Sequence, residues 1–197
     1  MPIIPLFPLR SVLLPHARIP LQIFEPRYMD MVKRCLKDQS GFGVILITEG
    51  DEVFNRARDR MPELAETGCY AKIVDWDALP GGRLEITIEG ECQFRLGKLS
   101  QGKDRLISAQ VEWVANPEPT ELSEQYSELA DVLLDLVDHP EVKRLNYILD
   151  NADAYRVASQ LGQLLPITEA EKLAIMELDS TESKLEALDA ALEMLTN

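Results

Sequence analysis

The sequence predicts an α+β fold, in which a curled, mostly antiparallel β-sheet with one early helix is followed by an all-helical bundle. Three observations carry this prediction. Five prolines divide the apolar opening stretch 3–28 into short extended segments, because proline interrupts helices and is confined to strand starts, edges and bulges. Apolar and polar residues alternate over 83–89 and 107–113, as in strands with one buried face. Beyond the proline-containing linker 116–119, apolar residues recur at helical spacing.

The distribution of charge divides the chain at the same place, into a β subdomain at 1–115 and an acidic helical subdomain at 116–197. The chain of 197 residues has a net charge of −14. Residues 1–115 contain 15 Lys and Arg against 16 Asp and Glu, whereas residues 116–197 contain 5 against 18. Nucleic acids and anionic membranes bind through Lys and Arg, so this acidic chain predicts neither as a partner.

The β subdomain is expected to contain one helix and several strands. Proline at the first helical position costs no hydrogen bond, so Glu25-Pro26 predicts a helix start, and Ser40-Gly41 predicts its end. The remaining predicted elements are a strand at 43–47, a long polar loop at 49–67, a strand at 68–76, a return strand at 83–89 interrupted by Gly90, its continuation at 92–96, and a strand at 107–113.

The helical subdomain is expected to form a small bundle whose Asp and Glu residues face solvent. Thr168 and Glu171 have the spacing of a capping box, which predicts a helix start. The other helices are predicted at 120–138, 141–149, about 153–165 and about 181–195.

The N-terminus does not have the order of a secretory signal. No basic residue precedes Arg10, and the apolar run before it is far shorter than the ~20 residues of a spanning helix. The three cysteines, Cys35, Cys69 and Cys92, lie in apolar segments without the spacing of a zinc site, which predicts reduced core thiols. The expected location is therefore cytoplasmic.

The sequence lacks the residue patterns of the common catalytic and cofactor sites. Its two histidines, His16 and His139, are far apart in the chain, and neither belongs to an H-E-x-x-H motif. No G-x-S-x-G or G-x-G-x-x-G occurs, and the stretch 90–98 has the wrong glycine spacing for a phosphate loop. We therefore expect no enzyme activity, catalytic residue, cofactor or metal.

The stretch 5–31, PLFPLRSVLLPHARIPLQIFEPRYMDM, resembles the opening of the Lon protease N-terminal (substrate-binding) domain family. The resemblance covers nearly the whole chain, continuing at 41–44, 68–73, 82–84, 90–95, 164–167, 171–172 and 178–179. It implies a PUA-like β subdomain, a pseudo-barrel, followed by a helical subdomain. Two residues depart from the family pattern: His16 stands where the family turns on glycine, and Gln93 replaces the arginine before Phe94.

Full Lon proteases carry an ATPase module and a serine-lysine protease module after this domain. The sequence contains neither a Walker loop nor a serine-lysine dyad, so it resembles the stand-alone members of the family. The signature residues are expected to be structural, with Glu25 and Arg27 forming a local ion pair or cap at the corner between strand and helix. The signature comprises Pro8, Arg10, Phe24, Glu25, Pro26, Arg27 and Tyr28.

The resemblance implies a non-catalytic module that binds unfolded or extended polypeptide, with self-association and a role as adaptor or regulator in protein quality control. Val53, Phe54 and Met61 are candidate contacts, because they are apolar residues within the polar 49–67 loop. The alternative for these three residues is that they fold back and cover the core.

Two other functions remain open from the residues alone. The mouth of the curled sheet could serve as a small-ligand site or a small active site, which a pocket lined by convergent polar groups would support and a filled interior would exclude. RNA binding is suggested by the PUA-like resemblance and by Arg56, Arg58 and Arg60, and the three arginines form a weak signal on so acidic a chain.

Overall fold

The structure, a computed structural model, describes residues 1–50, 61–150 and 153–196. Its elements are β1 (Ile3–Leu9), β2 (Arg18–Ile23), α1 (Pro26–Asp38), β3 (Phe42–Glu49), β4 (Glu63–Leu79), β5 (Arg83–Gln101), β6 (Ile107–Val114), α2 (Ser127–Asp138), α3 (Pro140–Lys143), α4 (Ala154–Leu164), α5 (Glu169–Glu177) and α6 (Thr181–Thr196). They form two compact units, one of Met1–Leu13 and Ile19–Ala115 and the other of Leu14–Arg18 and Asn116–Asn197. No helix within the described ranges is long and apolar enough to cross a membrane.

The first unit is a curled six-stranded sheet with the order β2-β5-β4-β3-β1-β6, and a further pairing of β5 with β6 closes five of the strands into a barrel. Antiparallel pairing joins β1 to β6, β3 to β4, β4 to β5 and β5 to β6. β1 and β3 run parallel, with partners from Leu6↔Gly43 to Leu9↔Leu46. β1 reaches β6 only through Ile3, Ile4 and Pro5. The predicted α+β class and curled, mostly antiparallel sheet are confirmed.

Large apolar side chains fill the described interior of the barrel. Gly43 and Gly68 allow the Phe94 ring to approach the backbone, since a Cβ at either position would lie 2.9 Å or 2.4 Å from a ring atom. Such distances are too short for any side chain larger than hydrogen. Leu6, Ile45 and Phe94 lie on the inner face of the barrel and are at most 1% exposed, whereas Phe42 and Val44, equally buried, lie on the opposite face of the sheet with Phe7.

Two predictions about the sheet were wrong. The 49–67 segment is not all loop, because β4 already begins at Glu63 and Leu64 pairs with Ile47 of β3. Gly90 does not interrupt β5. The register shifts between the Ala71↔Gly90 and Tyr70↔Cys92 pairs, so the irregularity is a bulge within one continuous strand.

The second unit is built from helices α2 to α6. The capping box between Thr168 and Glu171 is confirmed, with the Glu171 amide donating to Thr168 Oγ1 at 3.2 Å and the Thr168 amide donating to Glu171 Oε2 at 2.7 Å. The core residues exposed by less than 5% are Leu129, Leu133, Ala154, Val157, Ala158, Leu161, Leu165, Leu185 and Leu188.

Two helix predictions in this unit were too long. The helix predicted from residue 120 begins at Ser127, after a short 3₁₀ turn at Glu124–Tyr126. The helix predicted over 141–149 is only α3, because Asn146 adopts a positive φ of 50° that ends helical structure. His139 Nδ1 accepts the Glu141 amide at 3.3 Å and so caps α3.

Lys184 is a buried cation that the sequence pattern does not predict. Its Nζ donates to the carbonyl oxygens of Ile175, Met176 and Leu178 at 2.8, 2.7 and 2.6 Å. These carbonyls lie at the C-terminal end of α5, where a cation satisfies acceptors that lack helical partners. Burial lowers the pKa of Lys184 to about 8, and the charge of Asp179 opposes the shift.

The segment Leu14–Arg18, between β1 and β2, belongs to the helical unit. Its His16 has a φ of 61°, the left-handed conformation that glycine adopts without strain. The His16 carbonyl accepts from Gln160 Nε2 at 3.0 Å, and its ring meets Tyr155 edge-on at 5.7 Å. The departure of His16 from glycine therefore places a side chain at a position that demands a positive φ.

Substitutions at His16 should separate backbone strain from loss of the ring contact. We expect His16→Val to lower the free energy of unfolding by about 1–2 kcal/mol more than His16→Asn, because asparagine tolerates the left-handed region and valine does not. Both variants remove the imidazole, so they are matched. Urea unfolding followed by circular dichroism measures the difference, and equal stabilities would show that the turn is not strained.

Candidate functional site

An open groove of about 270 Å³ lies in the first unit, beside the end of β1 and along β2. Its lining comes entirely from the opening stretch of the sequence. Consecutive residues of both strands take part, followed by the corner that leads into α1. The lining residues are Phe7, Pro8, Leu9, Ser11, Pro20, Leu21, Gln22, Ile23, Phe24, Glu25 and Tyr28.

The floor of the groove is apolar and rigidly packed. Phe7, Ile23 and Tyr28 are 7%, 1% and 5% exposed. The Phe7 ring lies 4.1 Å from the Tyr28 ring and 5.9 Å from the Phe42 ring, both centroid to centroid and tilted. Such tilted aromatic contacts fix ring orientation as well as burying area. The floor is therefore a preformed apolar surface.

An ion pair fixes the corner between β2 and α1. Arg27 donates from Nε to Glu25 Oε2 at 3.1 Å, and its second terminal nitrogen lies 3.0 Å from the same oxygen. Arg27 also donates to the Arg105 carbonyl at 3.2 Å and places its guanidinium 4.5 Å from the Tyr28 ring centroid. Pro26 occupies the first helical turn, and Glu25 makes no side-chain cap hydrogen bond. Of the two predicted roles for this pair, the structure contains the ion pair and not the cap.

Phe24 stands at the rim of the groove with 58% of its surface exposed. It immediately precedes the N-cap residue Glu25, a position where an apolar side chain commonly packs back onto the first turn of the helix. Phe24 instead leaves most of its ring in solvent. An exposed aromatic ring beside an apolar floor is a typical feature of a binding surface.

The groove has almost no electrostatic field of its own. Glu25 is the one lining residue with a charged side chain, and Arg27 neutralises it at 3.0 Å. Within the described residues, no group of three or more His, Cys, Asp and Glu side chains could hold a metal ion. Burial raises the pKa of the three free thiols, Cys35, Cys69 and Cys92, above the ordinary value, so they are poor nucleophiles at neutral pH.

The structure brings four of the signature residues together at the groove: Pro8, Phe24, Glu25 and Tyr28. Arg10 is exposed and donates to the Gly50 carbonyl. Of the residues predicted to contact polypeptide, Val53 and Phe54 lie outside the described residues, as do Arg56, Arg58 and Arg60, whereas Met61 is 37% exposed.

Sequence reasoning favoured a structural role for the signature over direct ligand contact and did not identify the groove that four of its residues line. The missed residues of β2 are Pro20, Leu21, Gln22 and Ile23. Their apolar and proline content predicts an extended segment. The sequence contains no signal that β2 has β5 as its single strand neighbour within the described part of the chain.

Together, the closed barrel and its apolar groove define a β-barrel binding domain followed by a helical unit. The chain belongs to the family described as the ATP-dependent protease La (LON) substrate-binding domain, which matches residues 3–196. The resemblance noted in the sequence is thereby confirmed.

Solved structures and curated relatives agree with this assignment. The Lon N-terminal domain protein from Xanthomonas campestris is 32% identical with a TM-score of 0.73, and the match covers 96% of this chain and 98% of that one. The N-terminal domain of the Mycobacterium avium complex Lon protease shares the fold, with a TM-score of 0.60 at 18% identity and coverage of 95% and 96%. Lon protease from Escherichia coli K12 is 26% identical over 96% of this chain, and the match spans 24% of that protein's length.

The corner ion pair should show measurable coupling. In a double-mutant cycle with Glu25→Gln and Arg27→Met, we expect a coupling energy of about 1 kcal/mol, because the side chains are only 17% and 11% exposed. The matched control is Asp30 and Lys33 on the same helix, 4.0 Å apart and 68% and 65% exposed, whose coupling should stay within about 0.5 kcal/mol of zero. Urea unfolding of the full chain gives both values, and equal coupling would contradict a structural role for the corner.

Proposed function

We propose that the chain binds exposed apolar segments of unfolded proteins in the groove beside β1 and β2, as a non-catalytic recognition module. Membership of a substrate-binding family supports polypeptide as the ligand. The single observation that carries the location is Phe24, 58% exposed at the rim of an apolar floor. Binding there would bury its ring, which stabilises a complex by about 1.5–3 kcal/mol when burial is complete.

The size of the groove supports side chains as its occupants. Its volume of about 270 Å³ is just below the range in which pockets for whole small molecules begin, ~300 Å³. The alternative site, the mouth of the barrel, is not favoured, because the fully buried side chains of Leu6 and Phe94 pack against Gly43 on the inner face of the described barrel. The groove also lacks a charged lining group other than the paired Glu25, which argues against acid–base chemistry in it.

We extend the proposal to the role of an adaptor or regulator in cytoplasmic protein quality control. The match covers 24% of the length of the E. coli protease, so the family's binding domain is one part of a larger proteolytic chain there. A chain with this domain could present captured segments to such a protease, or associate with further copies of itself.

Replacing Phe24 tests the location of the site. Phe24→Ser should weaken binding of reduced, carboxymethylated α-lactalbumin about tenfold, because the ring no longer loses water contact on binding. Trp76→Ser is the matched control, since Trp76 on β4 is 55% exposed but does not line the groove. Fluorescence anisotropy with the labelled ligand gives both dissociation constants.

The same titration separates the groove from the loop. Unchanged binding by Phe24→Ser together with lost binding by a Phe54→Ser, Met61→Ser double variant would place the contact in the 49–67 segment. Absence of binding by the unmodified chain would overturn the proposed function itself.

A further inference from the structure

We propose that the captured segment is an extended, uncharged apolar peptide that pairs as an additional strand with the open edge of β2. The inference rests on the proposed function and specifies the form in which the polypeptide is held. It follows from the order of the strands, the direction of main-chain groups in β2, and the charge and size of the groove.

β2 is the terminal strand of the sheet, and within the described part of the chain it pairs with β5 alone. Four consecutive β2 residues, 20–23, line the groove. Side chains on one face of a strand recur at every second residue, so an unbroken run indicates that main-chain groups of β2, and not one row of side chains alone, border the groove. An unpaired strand edge is a template for a further strand.

The residues of β2 that turn their main-chain groups away from β5 can be identified from two observations. Pro20 lies inside the strand without an N–H, and such a proline is confined to the unpaired side of an edge strand. The Arg18 amide donates to Tyr147 Oη at 3.1 Å, and the Tyr147 hydroxyl donates to the Arg18 carbonyl at 2.9 Å, so both main-chain groups of Arg18 are directed toward Tyr147.

Main-chain direction alternates along a strand, so Pro20 and Gln22 share the orientation of Arg18. The open edge therefore offers the Pro20 carbonyl, the Gln22 amide and the Gln22 carbonyl. A peptide lying antiparallel to β2 would accept one hydrogen bond from Gln22 and donate two, one to each carbonyl. Its donors would come from alternate residues, because only every second peptide N–H faces β2.

The surroundings select an uncharged, apolar peptide. The floor beneath this edge presents Phe7, Ile23 and Tyr28, all less than 8% exposed. The one charged lining residue, Glu25, is paired with Arg27, so a charged peptide side chain would lose water without gaining a partner. A helix, ~10 Å across, presents no main-chain donors along its length and would leave the edge of β2 unpaired.

The probe is the fluorescein-labelled peptide Ser-Leu-Thr-Phe-Thr-Leu-Ser, whose strict alternation gives it one apolar face. Two analogues carry N-methyl groups, one on both Leu residues and the Phe, and the other on both Thr residues and the C-terminal Ser. N-methylation removes a donor as proline does. Strand addition predicts that one analogue binds the full-length chain about tenfold or more weakly, and that the other stays within about twofold of the parent peptide.

The outcomes separate the two proposals. Equal losses with both analogues, or no loss with either, would overturn strand addition while leaving binding in the groove intact. Failure of the unmethylated peptide to bind, together with failure of unfolded α-lactalbumin, would overturn the proposed function.

Variants of Gln22 test the same contact from the protein side. Gln22→Ala removes the exposed side chain but keeps the main-chain amide, so it should lose less affinity than a variant that removes the amide. Gln22→Pro removes the amide and should weaken binding, with circular dichroism confirming that the variant is folded. A loss of affinity in Gln22→Ala as large as that in Gln22→Pro would show a side-chain contact and contradict main-chain pairing.

Discussion

The geometry of the groove depends on the corner at which β2 becomes α1. Pro26 starts the helix, and the Glu25 to Arg27 ion pair at 3.0 Å fixes the direction in which the chain leaves the strand. The aromatic residues on the two sides of this corner differ in exposure, since Phe24 is 58% exposed and Tyr28 is 5% exposed. The anchor of Arg27 on the Arg105 carbonyl ties the corner to the segment that leads into β6. The ion pair thus lies between the rim residue Phe24 and the floor residue Tyr28.

Two prolines of the opening stretch lie at the groove, and one of them limits the hydrogen-bond donors on the edge of β2. Pro8 lies on the buried side of the groove, and Pro20 lies inside the strand that borders it. Prolines at a sheet edge reduce the number of donors available to a stray strand, which limits uncontrolled aggregation. An edge with one donor and two acceptors at Pro20 and Gln22 can still pair with a short peptide. Pro20 thus limits the number of donors on this edge without removing its capacity to pair.

Sequence patterns predicted most of the architecture, since period-two alternation in β5 and β6 and the Thr168 capping box depend on local chemistry. The errors arose where tertiary pairing outweighs local signals. Leu64 lies in a polar stretch, yet pairing with Ile47 makes it part of β4. The groove could not be predicted for the same reason, because exposure of Phe24 depends on which strands neighbour β2. Burial of Lys184 could not be predicted either, because lysine is ordinarily exposed and its three backbone acceptors are brought to it by the fold.

The most direct test of the account is the location of a bound peptide on the full chain. Titration of the ¹⁵N-labelled protein with Ser-Leu-Thr-Phe-Thr-Leu-Ser should shift amide resonances in 7–11 and 21–28, with the Gln22 amide among the largest changes because it gains a hydrogen bond. Resonances of the helical unit, 116–197, should remain in place. Shifts confined to the helical unit or to residues 49–62, with the groove amides unmoved, would contradict the claim that the signature stretch forms the binding site.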